Sequence, residues 1–235
     1  MKSLFASIKN LRTRGGFFYL FLHLILIIIL YPYLTGSILK IAILNGLFVG
    51  VMFTVLYAVA RDQRHYRMAF ILGFSWLLVS LVNKVVLAAW AREVSIVLLL
   101  AGVLLAIAFL AHTMYSLFYY ILRSRQVTED TIFAAISIYL LLGITWGIVY
   151  SFVEGIHPGS FYFSNALILG NEKPEWYHFL YYSFITLTTV GYGDVTPVTQ
   201  QSQSLAILEA ITGVLFTAVM IARLVGLYPP PIEKE

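Results

Sequence analysis

The chain has 235 residues, 60% of them hydrophobic and 11% charged, with a mean hydropathy of +0.88. Soluble domains are about a quarter charged, so this is the composition of an integral membrane protein and not of a soluble enzyme. There is no cysteine, which excludes disulfides, thiol chemistry and cysteine-ligated metals. The net charge of +4 rests on basic residues between apolar segments, which act as orientation signals and do not form a nucleic-acid surface.

A membrane-spanning helix needs about 20 apolar residues, and the sequence offers six such runs. Residues 1–16 carry Lys2, Lys9, Arg12 and Arg14 and form a basic cytoplasmic segment. The first span, 17–34, ends around Pro32; no small-residue cleavage site follows it, so it is read as retained and not as a signal peptide. The second span, 37–60, is followed by a basic loop at 61–67. The third, 68–87, has Lys84 near its far end, where a long side chain can snorkel. The fourth is 94–122, ahead of Arg123 and Arg125. The fifth, 131–153, is preceded by Thr128 as N-cap, with Glu129 and Asp130 near its positive end. The sixth is 204–228.

Placing the N-terminus, the loop after the second span, the 123–130 linker and the C-terminal end in the cytoplasm gathers 11 of the 15 lysines and arginines, all but Lys40, Lys84, Arg92 and Lys173. The positive-inside rule then puts both termini in the cytoplasm and residues 154–175 outside. After this outer stretch, Pro174 opens a short helix at 176–188, with Glu175 in its first turn.

That helix leads into 186–194, TLTTVGYGD, a polar and glycine-rich run between long apolar segments. Irregular backbone at membrane depth is tolerated only where it is buried in protein or lines a water-filled cavity. An ion entering a narrow pore loses its water, and an uncompensated charge in a low dielectric costs on the order of tens of kcal/mol. A strand whose carbonyls all face one way replaces that water, provided its residues alternate between left- and right-handed backbone. Gly191 and Gly193 reach φ > 0 without steric cost, Val190 and Tyr192 point away from the axis, and Thr189 adds a hydroxyl oxygen below the carbonyls.

The run 186–194 resembles the signature of the tetrameric potassium channel family, whose filter reads TVGYG. The resemblance is specific over 128–228 and generic before it. It implies an all-α membrane protein, a homotetramer of voltage-gated-like architecture. Each chain would have six transmembrane helices, with a re-entrant pore helix and selectivity filter between the fifth and sixth. Residues 17–122 would form a four-helix region, 131–228 the pore domain and 229–235 a short cytoplasmic tail. K+ would bind at Thr189, Val190, Gly191 and Tyr192, with Gly193 completing the filter and Thr188 and Asp194 supporting it. The pore helix would aim its negative end, roughly half a charge, at the central cavity. Tyr181 and Tyr182 fall where voltage-gated relatives carry two tryptophans, which implies a cuff around Tyr192; the alternative is a pair of interfacial aromatics.

Glu209 is the one acid in the sixth span, either bracing the pore helix from behind or simply buried, protonated and hydrogen-bonded. Gly213 follows Gly193 by 20 residues, where the family commonly has a hinge; close packing of small residues is the alternative. Val214, Thr217 and Ile221 share a face and are assigned to the cavity wall and inner gate. No cofactor is implied, K+ being the permeant ion. The expected partners are K+, membrane lipids and further copies of the chain, in the plasma (inner) membrane.

A voltage sensor uses three or four charges per subunit, each worth about 2.3 kcal/mol per 100 mV. Residues 94–122 contain no lysine or arginine, so steep voltage dependence is not expected. His112 and His23 read as packing residues, while His157 and His178, on the outside, offer a route for external pH. Seven residues follow the sixth span, too few for a ligand-binding domain, and one filter motif excludes a two-pore subunit. The other readings are a weakly selective cation channel, a non-conducting partner subunit and a secondary transporter. Tyr192 and Gly193 argue against the first and the intact filter against the second. The lack of a second glycine-rich loop argues against the third.

Overall fold

The structure, a computed structural model, describes residues 15–30, 33, 38–59, 63–88, 92–164, 167 and 174–227. The basic leader with Lys2, Lys9, Arg12 and Arg14, the Pro32 stop, Arg61, Lys173 and the 229–235 tail lie outside the described residues, as do the side chains of Lys40, Lys84 and Arg92. Among the described residues seven helices and two short strands follow in order: α1 Gly16–Leu30, α2 Ile38–Val59, α3 Gln63–Ala88, α4 Arg92–Arg123, α5 Glu129–Ile156, β1 Phe161–Phe163, α6 Trp176–Leu187, β2 Val195–Pro197 and α7 Gln200–Gly226. Two compact units result, one of residues 1–124 and 128–138, the other of 125–127 and 139–235.

In the first unit α1 packs on α2, α2 on α3, and α3 on α4. Leu20, Leu24 and Ile27 of α1, Val55 of α2, and Leu117 and Ile121 of α4 are buried. The outer sides of α3 and α4 stay apolar: Phe70, Ile71, Phe74, Val97, Leu99 and Leu104 are all exposed. Apolar residues all round a helix are what a lipid environment selects. The expected cap of α5 is present, the Thr131 amide donating to Thr128 Oγ1 at 3.3 Å.

Among the described residues four helical stretches are long and apolar enough to cross a membrane: Gln63–Asn83, Ile96–Arg123, Glu129–Ile156 and Gln200–Gly226. Gly16–Leu30 and Gly46–Ala58 are shorter apolar helices. The third and sixth spans start earlier than the hydropathy suggests, because the polar residues Gln63–Arg67 and Gln200–Gln203 continue the helix beyond its apolar part.

The second unit is built around α6. Tyr150, Phe161, Phe179, Tyr182, Ile185 and Val195 form its core. Tyr150 meets Phe161 and Tyr182 edge-on at 5.3 and 5.1 Å, the geometry favoured by ring quadrupoles. Glu175 proves to be the N-cap of α6 and not a first-turn residue; its amide donates to His178 Nδ1 at 3.0 Å. The chain is also not purely helical. β1 and β2 pair antiparallel, Phe161 with Pro197 and Phe163 with Val195. The ladder extends through Ser164 N to Asp194 O and Val198 N to Ser160 O, both 2.8 Å. Aromatic and β-branched residues suit this pairing, and Pro197 sits at its end, where a missing N–H costs least.

Candidate functional site

The 188–193 segment leaves the C-terminus of α6 under tight local control. Thr188 is the C-cap, with φ −85° and ψ 1°. Its hydroxyl donates to the Phe184 carbonyl at 2.6 Å. The amides of Val190 and Gly191 both donate to the Ile185 carbonyl, at 2.9 and 3.1 Å, and the Thr189 amide donates to Thr186 at 3.0 Å. The segment's donors are thus turned back into the helix.

Its backbone alternates in hand. Thr189, Gly191 and Gly193 have φ of 61°, 53° and 78°, while Val190 and Tyr192 stay negative. Alternation of this kind orients successive peptide planes alike. For a β-branched residue a positive φ is a genuine outlier, worth about 1–3 kcal/mol of strain. Thr189 is the single non-glycine of this kind among the described residues. Sequence reasoning looked to the glycines for positive φ and missed Thr189, because nothing about threonine signals it.

Residues 188–193 are exposed on the chain, with Tyr192 at 72% and Val190 at 51%. Tyr192 is therefore not packed by its own chain, and the tyrosine pair divides its work. Tyr181 donates from its hydroxyl to Asp194 Oδ2 at 2.6 Å, and Asp194 Oδ1 accepts from the Val195 amide at 3.0 Å. Tyr182 points the other way, into the core beside Tyr150 and Phe161.

Behind α6 lies a polar knot of three helices. Glu209 of α7 is fully buried. Tyr150 of α5 donates to its Oε2 at 2.6 Å, and Ser183 of α6 donates to its Oε1 at 2.5 Å. Ser183 Oγ also lies 2.8 Å from the Gly143 carbonyl. Ser183 and Tyr150 were not singled out from the sequence; the available signal was a lone serine inside the aromatic helix WYHFLYYSFITL, opposite an intramembrane acid.

Gly213 is buried where a Cβ would lie 2.6 Å from the Leu187 carbonyl oxygen, and α7 runs unbroken through it from Gln200 to Gly226. In this conformation it is a close-packing position. Replacing it with alanine is expected to cost about 1–3 kcal/mol by overpacking, measured as a lowered midpoint of thermal unfolding in detergent; an unchanged midpoint would favour the hinge. Val214, Thr217 and Ile221 are exposed on α7, and Thr217 Oγ1 donates to the Gly213 carbonyl at 3.0 Å.

The side chains of His178 and His112 are engaged in structure. His178 caps α6 as described, the His157 carbonyl accepts from Ser160 Oγ at 2.6 Å, and His112 Nε2 lies 3.2 Å from the His65 carbonyl. In α4 the guanidinium of Arg123 sits over the Tyr119 ring at 4.5 Å.

Residues 136–228 match the family described as Ion channel. That match supports an ion channel. Part of the chain is 34% identical, over 97 residues, to Two-pore potassium channel 4 of Arabidopsis thaliana, covering 41% of this chain and 30% of that protein. It is 29% identical, over 102 residues, to Protein LctB of Geobacillus stearothermophilus, covering 43% of this chain and 75% of that one. The alignment thus spans under a third of the plant relative's length. No solved structure matches. The channel family is not one of enzymes, and with four apolar helices of sufficient length the chain is an integral membrane protein.

Proposed function

We propose that this chain is the subunit of a potassium-selective channel that conducts passively and is insensitive to voltage. The observation that carries the reading is the alternating backbone of 189–193 in a TVGYG sequence, tied at its base to the Ile185 carbonyl. Such a strand offers a row of oxygens to a dehydrated cation, and K+ filters are built from four of them. One chain supplies one strand, and that strand, with Tyr192 and the Val214 and Ile221 face of α7, is exposed. Four copies around an axis would cover these residues and complete the ring.

On this reading α6 is a re-entrant pore helix between the fifth and sixth of six spans. Both termini are cytoplasmic in the plasma membrane, and Asp194 and Glu209 hold the filter from its mouth and from behind. The absence of lysine and arginine from 94–122 supports voltage insensitivity. The name of the plant relative, a potassium channel, agrees with the ion assigned.

The test is a planar bilayer recording of the full chain in mixed K+ and Na+ across a range of voltages. Current reversing near the K+ equilibrium potential, with open probability nearly flat in voltage, is expected. Equal permeability to the two ions would replace this reading with a weakly selective cation channel, and a steep voltage dependence would remove the insensitivity.

A further inference from the structure

The carbonyl of Leu187 ends α6, beyond the reach of the helix's own donors. The amide four residues on, that of Gly191, is already given to Ile185 at 3.1 Å. The hydroxyl of Tyr139 on α5 takes its place, donating to Leu187 O at 3.1 Å. Tyr139 is steered there by its ring, which lies 6.0 Å from that of Phe216 on α7. The same oxygen faces Gly213, where a Cβ would come within 2.6 Å. Two helices therefore meet on one peptide oxygen.

That peptide is the one from which the candidate filter departs. Leu187 C=O and Thr188 N–H share a plane, so the tilt of the carbonyl sets the direction in which the chain enters Thr189, held at φ 61°. We propose that Tyr139 is a positioning residue for ion selection, its hydroxyl fixing the Leu187–Thr188 peptide and through it the spacing of the carbonyls in 189–193. The inference rests on the channel reading and adds to it a residue outside both the filter motif and the pore helix. Glu209 and Ser183 hold the middle of α6; Tyr139 holds its end, next to the strand.

The experiment compares reversal potentials in mixed K+ and Na+ for the full chain and for Tyr139→Phe in the same bilayers. The K+ to Na+ permeability ratio should fall roughly 3- to 10-fold, the scale of one neutral hydrogen bond, with insertion and assembly retained. Incorporation of 4-aminophenylalanine at 139, which keeps a donor on the same ring, should restore it. A merely structural tyrosine would lower stability and leave the ratio unmoved, and that result overturns the proposal. Should the phenylalanine variant fail to assemble, 3-fluorotyrosine at 139 keeps the hydroxyl and changes only its donor strength. A shifted ratio then supports the proposal and an unmoved one overturns it. A wild-type chain that carries no selective K+ current removes the channel reading itself, whereas a selective wild type beside an equally selective Tyr139→Phe removes only this inference.

Discussion

Replacing Gly191 with alanine is expected to abolish K+ flux while leaving membrane insertion and the fold of the chain intact. Gly191 sits at φ 53°, and nothing lies within 4 Å of where its Cβ would be. Alanine therefore clashes with nothing in its own chain, so the thermal midpoint should barely move. The penalty is one of backbone conformation, about 1–2 kcal/mol for leaving glycine in the left-handed region. The segment relieves it by returning to φ < 0, which reverses one peptide plane and breaks the alternation across 189–193. In the proposed tetramer the defect occurs four times around one axis. Gly193→Ala, at φ 78° and equally open, should behave alike. Ion flux into liposomes under a K+ gradient, read beside a protease-protection assay for insertion, decides the matter; wild-type flux in Gly191→Ala would remove the filter assignment.

Replacing Glu209 with alanine should instead strike stability. The carboxyl is fully buried and accepts from Tyr150 and Ser183, so its removal leaves two hydroxyls without their acceptor and a void between three helices. Hydrogen bonds between membrane helices average about 0.6 kcal/mol and reach about 1.7. An unfilled buried site adds to that, which brings the expected loss to about 2–4 kcal/mol. For a chain of this size the melting temperature in detergent should fall by roughly 5–15 °C. Glu209→Gln keeps an acceptor oxygen and most of the volume and should recover more than half of the loss. Equal melting of wild type and Glu209→Ala would show that the knot does not hold α6.

These two residues mark how far the sequence can be read. The apolar runs and the glycine pattern made the helical class, the short helix and the 188–193 segment legible, because composition and positive φ are local properties. Thr128 as cap of α5 was legible for the same reason. The strands were not: three residues each, they owe their pairing to an antiparallel match across 31 intervening residues and carry no periodicity of their own. The partners of Glu209 were hidden by distance along the chain, 26 residues to Ser183 and 59 to Tyr150. Tyr182 deceived by adjacency. Beside Tyr181 in sequence, it turns about 100° further round the helix and so faces the core.

The pairing of β1 with β2 joins the two ends of the stretch that contains α6 and the candidate filter. Length added to the chain between Leu167 and Pro174 then lies inside an already closed ring, where each doubling of loop length costs only about 0.6 kcal/mol. The stretch it encloses is accordingly free to change in length and chemistry, and to accept an inserted epitope, while the β1–β2 pairing that brackets 188–193 keeps its register.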